Sequence, residues 1–221
     1  MTRMGVFTFA AAAALLPAAA QAQSPTLEVT VGATLHGPSS AGTTRAELLD
    51  PAGNPVTLFE AKQRTTSAVG LAGAVSYRLR PRLALELSGG WSRPNFESRI
   101  SDDFEGVDGS TLTLGLHRFM VELGAVRHFG RRGALEPYAR IGAGWLRELT
   151  RDRALVDDGV AAHVGGGFKY WMREGRPGWL GHIALRADVR VSVRRGGIEL
   201  GDAGTRWSPD VLAGLIIARV P

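Results

Sequence analysis

Residues 182–193 read His-Ile-Ala-Leu-Arg-Ala-Asp-Val-Arg-Val-Ser-Val. Ile183, Leu185, Ala187, Val189, Val191 and Val193 fall on one side of this stretch. His182, Ala184, Arg186, Asp188, Arg190 and Ser192 fall on the other. A strict period of two is the signature of a β-strand, whose successive side chains point to opposite faces. The polar side carries two arginines and an aspartate, so one face meets an apolar medium and the other must hold charge.

The same pattern recurs outward from this stretch in both directions. Segment 159–172 opposes Val160, Ala162, Val164, Phe168, Tyr170 and Met172 to Ala161, His163, Gly165, Gly167, Lys169 and Trp171. Segment 137–148 sets Ala139, Ile141, Ala143 and Trp145 against Tyr138, Arg140, Gly142, Gly144, Leu146 and Glu148. Segments 82–93, 66–79 and 26–36 alternate likewise, with Arg78, Glu86 and Glu28 on their polar sides. Segment 111–129 changes phase, from Leu112, Leu114 and Leu116 to Phe119, Val121, Leu123 and Ala125. A one-residue bulge near His117–Arg118 reconciles the two phases; two shorter strands are the competing reading. With a bulge, Arg118 and Glu122 join the polar set. Segment 207–220 is apolar on both sides, and placing Arg219 with the polar set assigns Leu212, Ile216, Ala218 and Val220 to the apolar one.

Eight such segments, each at least as long as the roughly 9–11 residues that cross a bilayer at a tilt, point to a membrane barrel. Lipid cannot satisfy backbone N–H and C=O groups, so strands span it only as a closed ring. The connections alternate in length. Links at 37–65, 94–110, 149–158 and 195–206 are long and polar, whereas 80–81, 130–136 and 173–178 are short, with Arg-Pro and Gly-rich turns. Outer-membrane barrels pair short periplasmic turns with longer extracellular loops. This predicts extracellular long links and periplasmic termini. Trp91, Trp145 and Trp207 then lie at one bilayer interface, and Tyr77, Phe129, Tyr138, Tyr170, Trp171 and Trp179 at the other. A soluble lipocalin-like barrel is the alternative use of the same strands.

The N-terminus carries Arg3, an uncharged apolar run Val6–Leu16 and an Ala20-Gln21-Ala22 cleavage pattern. Residues 1–22 therefore read as a signal peptide and 23–221 as one barrel domain. The chain has no cysteine, which removes disulfides and thiol chemistry. Its 26 Lys+Arg and 21 Asp+Glu are scattered without a basic stripe, which argues against nucleic acid as a partner.

Pro137-Tyr138-Ala139-Arg140-Ile141-Gly142-Ala143-Gly144-Trp145 resembles the P-Y-x-x-x-G-x-G-aromatic strand of the outer membrane protein β-barrel domain family, the OmpA/OmpX-type small barrels. Val164–Tyr170 (VGGGFKY) and Leu185–Val191 are similar to its following strands. The resemblance implies an all-β, eight-stranded antiparallel up-and-down transmembrane barrel in the outer membrane. It also implies assembly by the barrel-insertion machinery. Such chains usually end in an aromatic residue, and this one departs from that with Arg219-Val220-Pro221.

Glu28, Arg78, Glu86, Arg140, Glu148, Lys169, Arg186, Asp188 and Arg190 are expected to face the lumen. An eight-stranded barrel is only wide enough for side chains to fill, and buried charges need partners. Near-balanced signs therefore predict a salt-bridged plug, with a narrow ion or small-solute path as the alternative. Asp102, Asp103, Glu105 and Asp108 crowd one long link, but their spacing does not match a calcium loop. His163 and His182 have no serine two positions away, and no nucleophile–base–orienter set can be assembled. The expectation is a monomeric, non-enzymatic barrel without metal or cofactor. It would contact outer-membrane lipid and lipopolysaccharide, and an extracellular partner through its long links. A lipid-modifying enzyme is the remaining alternative.

Overall fold

The computed structural model describes residues 27–101, 109–173, 182–198 and 204–219. Its strands are β1 (Leu27–His36), β2 (Ser39–Leu49), β3 (Pro55–Thr65), β4 (Ala68–Arg80), β5 (Leu83–Ser92), β6 (Asn95–Ser101), β7 (Thr111–His128), β8 (Leu135–Thr150), β9 (Val156–Arg173), β10 (His182–Gly196) and β11 (Thr205–Arg219). The signal-peptide segment 1–22 lies outside the described residues.

Eight of these strands close into a barrel. Each pairs antiparallel with its neighbours in the order β1-β4-β5-β7-β8-β9-β10-β11, and β11 returns to β1 through Leu27↔Arg219 to His36↔Asp210. Closure leaves no barrel edge with unpaired backbone groups, which is the condition for crossing lipid. The wall is inverted relative to a soluble core. Val31, Val69, Leu71, Leu123, Ile141, Val164 and Val189 point outward and are more than half exposed. Arg186, Asp188 and Glu148 point inward and are almost fully buried. In water a belt of this kind would be an aggregating patch; against acyl chains it is the expected surface.

The remaining three strands lie within links that read as loops in the sequence. β2 and β3 form a hairpin, β6 pairs with the free side of β3, and the first residues of β7 pair with β6. This four-stranded sheet continues the barrel wall beyond its rim. The hairpin turn is organised by Asp50, whose Oδ1 accepts the N–H groups of Ala52 and Asn54, both at 2.8 Å. Hydrogen bonds from Asn54, then Ala52, hold the Asp50 carboxyl below its usual range. At 149–158 the expected long loop is instead a tight turn, because β8 runs to Thr150 and β9 starts at Val156.

Two phase assignments differ from the sequence reading. β7 runs through His117–Arg118 without a register shift, so no bulge forms there. Leu114 and Leu116 keep the inward phase of Arg118 and Glu122, and Leu116 packs with Phe96 and Ile198 across the barrel mouth. The phase conflict marks where the strand leaves the apolar medium and its inward face becomes the apolar one. In β11, Leu212, Ile216 and Ala218 point inward and Arg219 outward, opposite to expectation. Arg206, Ser208 and Asp210 set the inward phase. Arg219 sits at the strand end, where a long cationic side chain reaches the polar interface. Val220 lies outside the described residues.

Candidate functional site: the charged lumen

The nine lumen residues expected from the sequence all point inward, and the structure joins them into layers. At the short-turn end, Lys169 Nζ donates to Glu28 Oε2 at 2.5 Å and Arg78 bridges Glu28 and Glu136 at 3.0 and 3.1 Å. Trp171 Nε1 donates to Glu136 at 2.9 Å, and His128 lies 3.2 Å from the same carboxylate. Below this layer Trp171, Ala184, Ile216 and Ala218 form an apolar floor.

Glu86 is the centre of the middle layer. It accepts two bonds from Arg186, at 2.6 and 3.2 Å, one from Arg140 at 3.0 Å and one from Ser76 Oγ at 2.7 Å. Fork-to-carboxylate pairing of this kind is stronger and more directional than a single contact. Arg186 Nε is shared between Asp188 and the Tyr138 hydroxyl, both at 2.9 Å, while that hydroxyl donates to Asp188 at 2.7 Å. Arg140 Nε donates to His163 Nε2 at 3.1 Å. That places the His163 proton on Nδ1, which faces Glu122 Oε1 at 2.9 Å. Arg190 completes the layer with Glu122 at 2.8 Å.

Toward the long-link end, Arg190 reaches Asp210 at 3.3 Å, and Asp210 also meets His36 Nδ1 at 3.0 Å and Ser192 Oγ. Glu148 accepts Arg118 Nε at 2.7 Å and lies 3.7 Å from Arg194. It also accepts the Ile198 N–H at 2.9 Å, which draws the start of the last long link into the mouth.

Small inward residues make the room. A Cβ at Gly142 would lie 2.6 Å from His163 Cε1, and one at Gly167 would lie 2.1 Å from the Ala187 carbonyl oxygen. Gly142 thus leaves room for the His163 ring, and Gly167 lets β9 approach the backbone of β10 at Ala187 and Asp188. One cavity within the lumen, bordered by Thr30, His36, Ser88, Glu122 and Arg190, has about 20 Å³ in which a water centre fits. That is room for roughly one or two waters.

Sequence reasoning missed Glu136, Asp210, Arg194 and Arg206. Asp210 was hidden by the inverted phase of its strand, and Arg206 precedes the segment boundary drawn there. Glu136 and Arg194 sit just beyond the ends drawn for their strands, and continuing the period of two by two residues would have found them. Tyr138 and Trp171 are not interface aromatics. Their alternation is inward, and both are buried on carboxylates. Trp145 and Trp207 do face outward, and Trp91 is half-buried on the outer rim, stacked on His117 with Arg93 above it at 4.7 Å. Trp179 and the acidic stretch 102–108 lie outside the described residues. Among the described residues no group of three or more His, Asp or Glu side chains is arranged to hold a metal ion.

An inside-out wall around a paired-charge lumen defines a transmembrane β-barrel. The model of the outer membrane protein beta-barrel domain family matches residues 8–205, and the chain belongs to that family. It is an outer membrane protein. Among solved structures it is similar to Neisserial surface protein A, at 12% identity and TM-score 0.49, covering 86% of this chain and 96% of that one. It is also similar to the N-terminal β-barrel domain of Pseudomonas aeruginosa OprF, at 16% identity and TM-score 0.43, covering 90% and 99%. A third is the outer membrane protease OmpT from Escherichia coli, at 10% identity and TM-score 0.42, covering 88% and 96%. No curated protein matches the sequence.

Proposed function

We propose that this outer membrane protein is a non-enzymatic, non-conducting anchor that presents a four-stranded sheet to the outside of the cell. The lumen carries the first half of this reading. Seven carboxylates (Glu28, Glu86, Glu122, Glu136, Glu148, Asp188 and Asp210) face eight cations (Arg78, Arg118, Arg140, Lys169, Arg186, Arg190, Arg194 and Arg206), and all but Arg78 are almost fully buried. An ion crossing this interior would have to part several desolvated pairs in sequence. His36, His128 and His163 are each engaged with a carboxylate. A serine-type hydrolase would need its histidine poised on a hydroxyl nucleophile, and among the described residues none of these three is hydrogen-bonded to one. The protein acts as a monomer, with its wall against lipid and lipopolysaccharide.

Purified protein in planar bilayers is expected to give no resolved conductance steps. Stable single-channel steps that respond to substitution of Arg190 or Glu122 would replace the plug with the ion-path reading.

Orientation follows from the strand connections: the long-link end is extracellular. Trypsin offers a symmetric test, because arginines sit in turns at both ends. Arg153, in the turn between β8 and β9, is exposed with φ 61°, and Arg131 and Arg132 lie in the turn before β8. Trypsin added to intact cells should cut at 151–153 and spare 131–132, which it should reach only after access to the periplasm is opened. Cleavage at 131–132 on intact cells would invert the topology.

A further inference from the structure

The sheet that leaves the barrel has a charged outer face. Among the described residues Arg45, Lys62, Arg64 and Arg99 share it with the carboxylates of Glu60 and Glu97. Arg45 pairs with Glu60 at 2.9 Å, Lys62 reaches the same residue at 3.5 Å, and Arg64 pairs with Glu97 at 2.7 Å. The side chains of Arg45, Lys62 and Arg64 remain about two-thirds exposed in these pairs. The strand register sets Lys62 directly opposite Arg99, which has no ion-pair partner among the described residues. Like charges directly opposite across antiparallel strands are destabilising, and an anion between them would relieve that repulsion.

The two cations lie in a concave groove of about 580 Å³. Ser40, Thr43 and Thr111 supply hydroxyls along it, and Arg64 and Glu97 border it. Among the described residues no aromatic lines the groove, and these residues offer no stacking platform for nucleobases. It also lacks the apolar pockets that anchor a peptide. Flexible ammonium, forked guanidinium and hydroxyl donors suit oxyanions carried on a hydroxylated chain.

We propose that this groove binds an anionic saccharide bearing phosphate or sulfate groups, held by Lys62 and Arg99. The proposal rests on the extracellular placement of the sheet. Two sources share this chemistry: the phosphorylated sugars of lipopolysaccharide in the same membrane, and a free polyanionic polysaccharide.

The test uses the full mature chain in phosphatidylcholine nanodiscs, with fluorescent dextran sulfate as the probe and neutral dextran as control. Dextran sulfate should bind, more weakly as salt rises, and neutral dextran should not. Lys62→Gln with Arg99→Gln should weaken binding about tenfold. Arg147→Gln, elsewhere on the wall, should leave it unchanged. Glu60→Gln with Glu97→Gln should tighten it, which guards against a trivial loss of fold. Repeating the titration with lipopolysaccharide in the nanodisc separates the sources. Blocked probe binding assigns the groove to the membrane's own saccharide, and persistent binding assigns it to a free one. Absence of dextran sulfate binding, or binding indifferent to all four positions, overturns the proposal. Conductance steps, or trypsin cleavage at the wrong end, would instead overturn the anchor reading, so the two failures are told apart.

Discussion

Glu86→Ala is expected to lower the unfolding free energy of the barrel in lipid vesicles by about 3–5 kcal/mol, the usual cost of removing one partner of a buried pair. The size follows from what Glu86 holds. It neutralises Arg186 through a two-pronged contact and Arg140 through a third bond, and it accepts the Ser76 hydroxyl. Its removal leaves two guanidinium groups in the middle of the lumen with Asp188 as their shared carboxylate. The vacated space admits a few waters, which solvate two guanidinium groups less well than the carboxylate they replace. Urea unfolding followed by tryptophan fluorescence and by the gel shift between folded and unfolded barrel would measure the loss. A change below about 1 kcal/mol would mean that the lumen is hydrated, as surface-like pairs contribute that little. Asp188→Ala should also destabilise, and the double variant should lose more than the sum, because each carboxylate is what remains to Arg186 and Arg140 when the other is gone.

Glu148→Gln is the second large effect, and it reads out the mouth rather than the middle. The carboxylate is fully buried, accepts Arg118 Nε at 2.7 Å and lies beside Arg194. Neutralising it leaves Arg118 and Arg194 without their common anion, which should cost about 3 kcal/mol. It also weakens the bond from the Ile198 N–H, the polar tether of the link after β10. Trypsin should therefore cut intact cells faster within 194–206 in the variant, while the folded gel mobility persists at room temperature. An unchanged cutting rate would show that the packing of Ile198 on Phe96 and Leu116 is enough to hold the segment.

The legibility of this protein in its sequence follows from one physical fact: the barrel wall separates two media. Along β10, every second residue meets either acyl chains or a charged interior, so the period of two in 182–193 specifies strand, face and lumen-facing charges at once. The same is true of β1, β4, β5, β8 and β9, and all nine lumen charges named from their phase point inward. Signals failed where the media change along a single strand. In β7 the outward apolar phase gives way to an inward apolar one above the rim, which imitates a bulge. In β11 the middle is apolar on both sides because its inward face forms the floor with Trp171 and Ala184. There a single terminal arginine was the wrong guide.

Alternation alone established the eight wall strands, the closed antiparallel topology that lipid demands, and nine of the charges that share the interior. Pairing was beyond it. That Glu86 serves Arg186 and Arg140, that Glu122 takes His163 and Arg190, or that Lys62 faces Arg99 depends on register between strands, in the case of Lys169 and Glu28 separated by 141 positions. The added sheet of β2, β3 and β6 was likewise invisible, because both of its faces carry polar groups and no apolar medium imposes a period on it. Only the tertiary structure, by setting register and closing the ring, decided which charges meet.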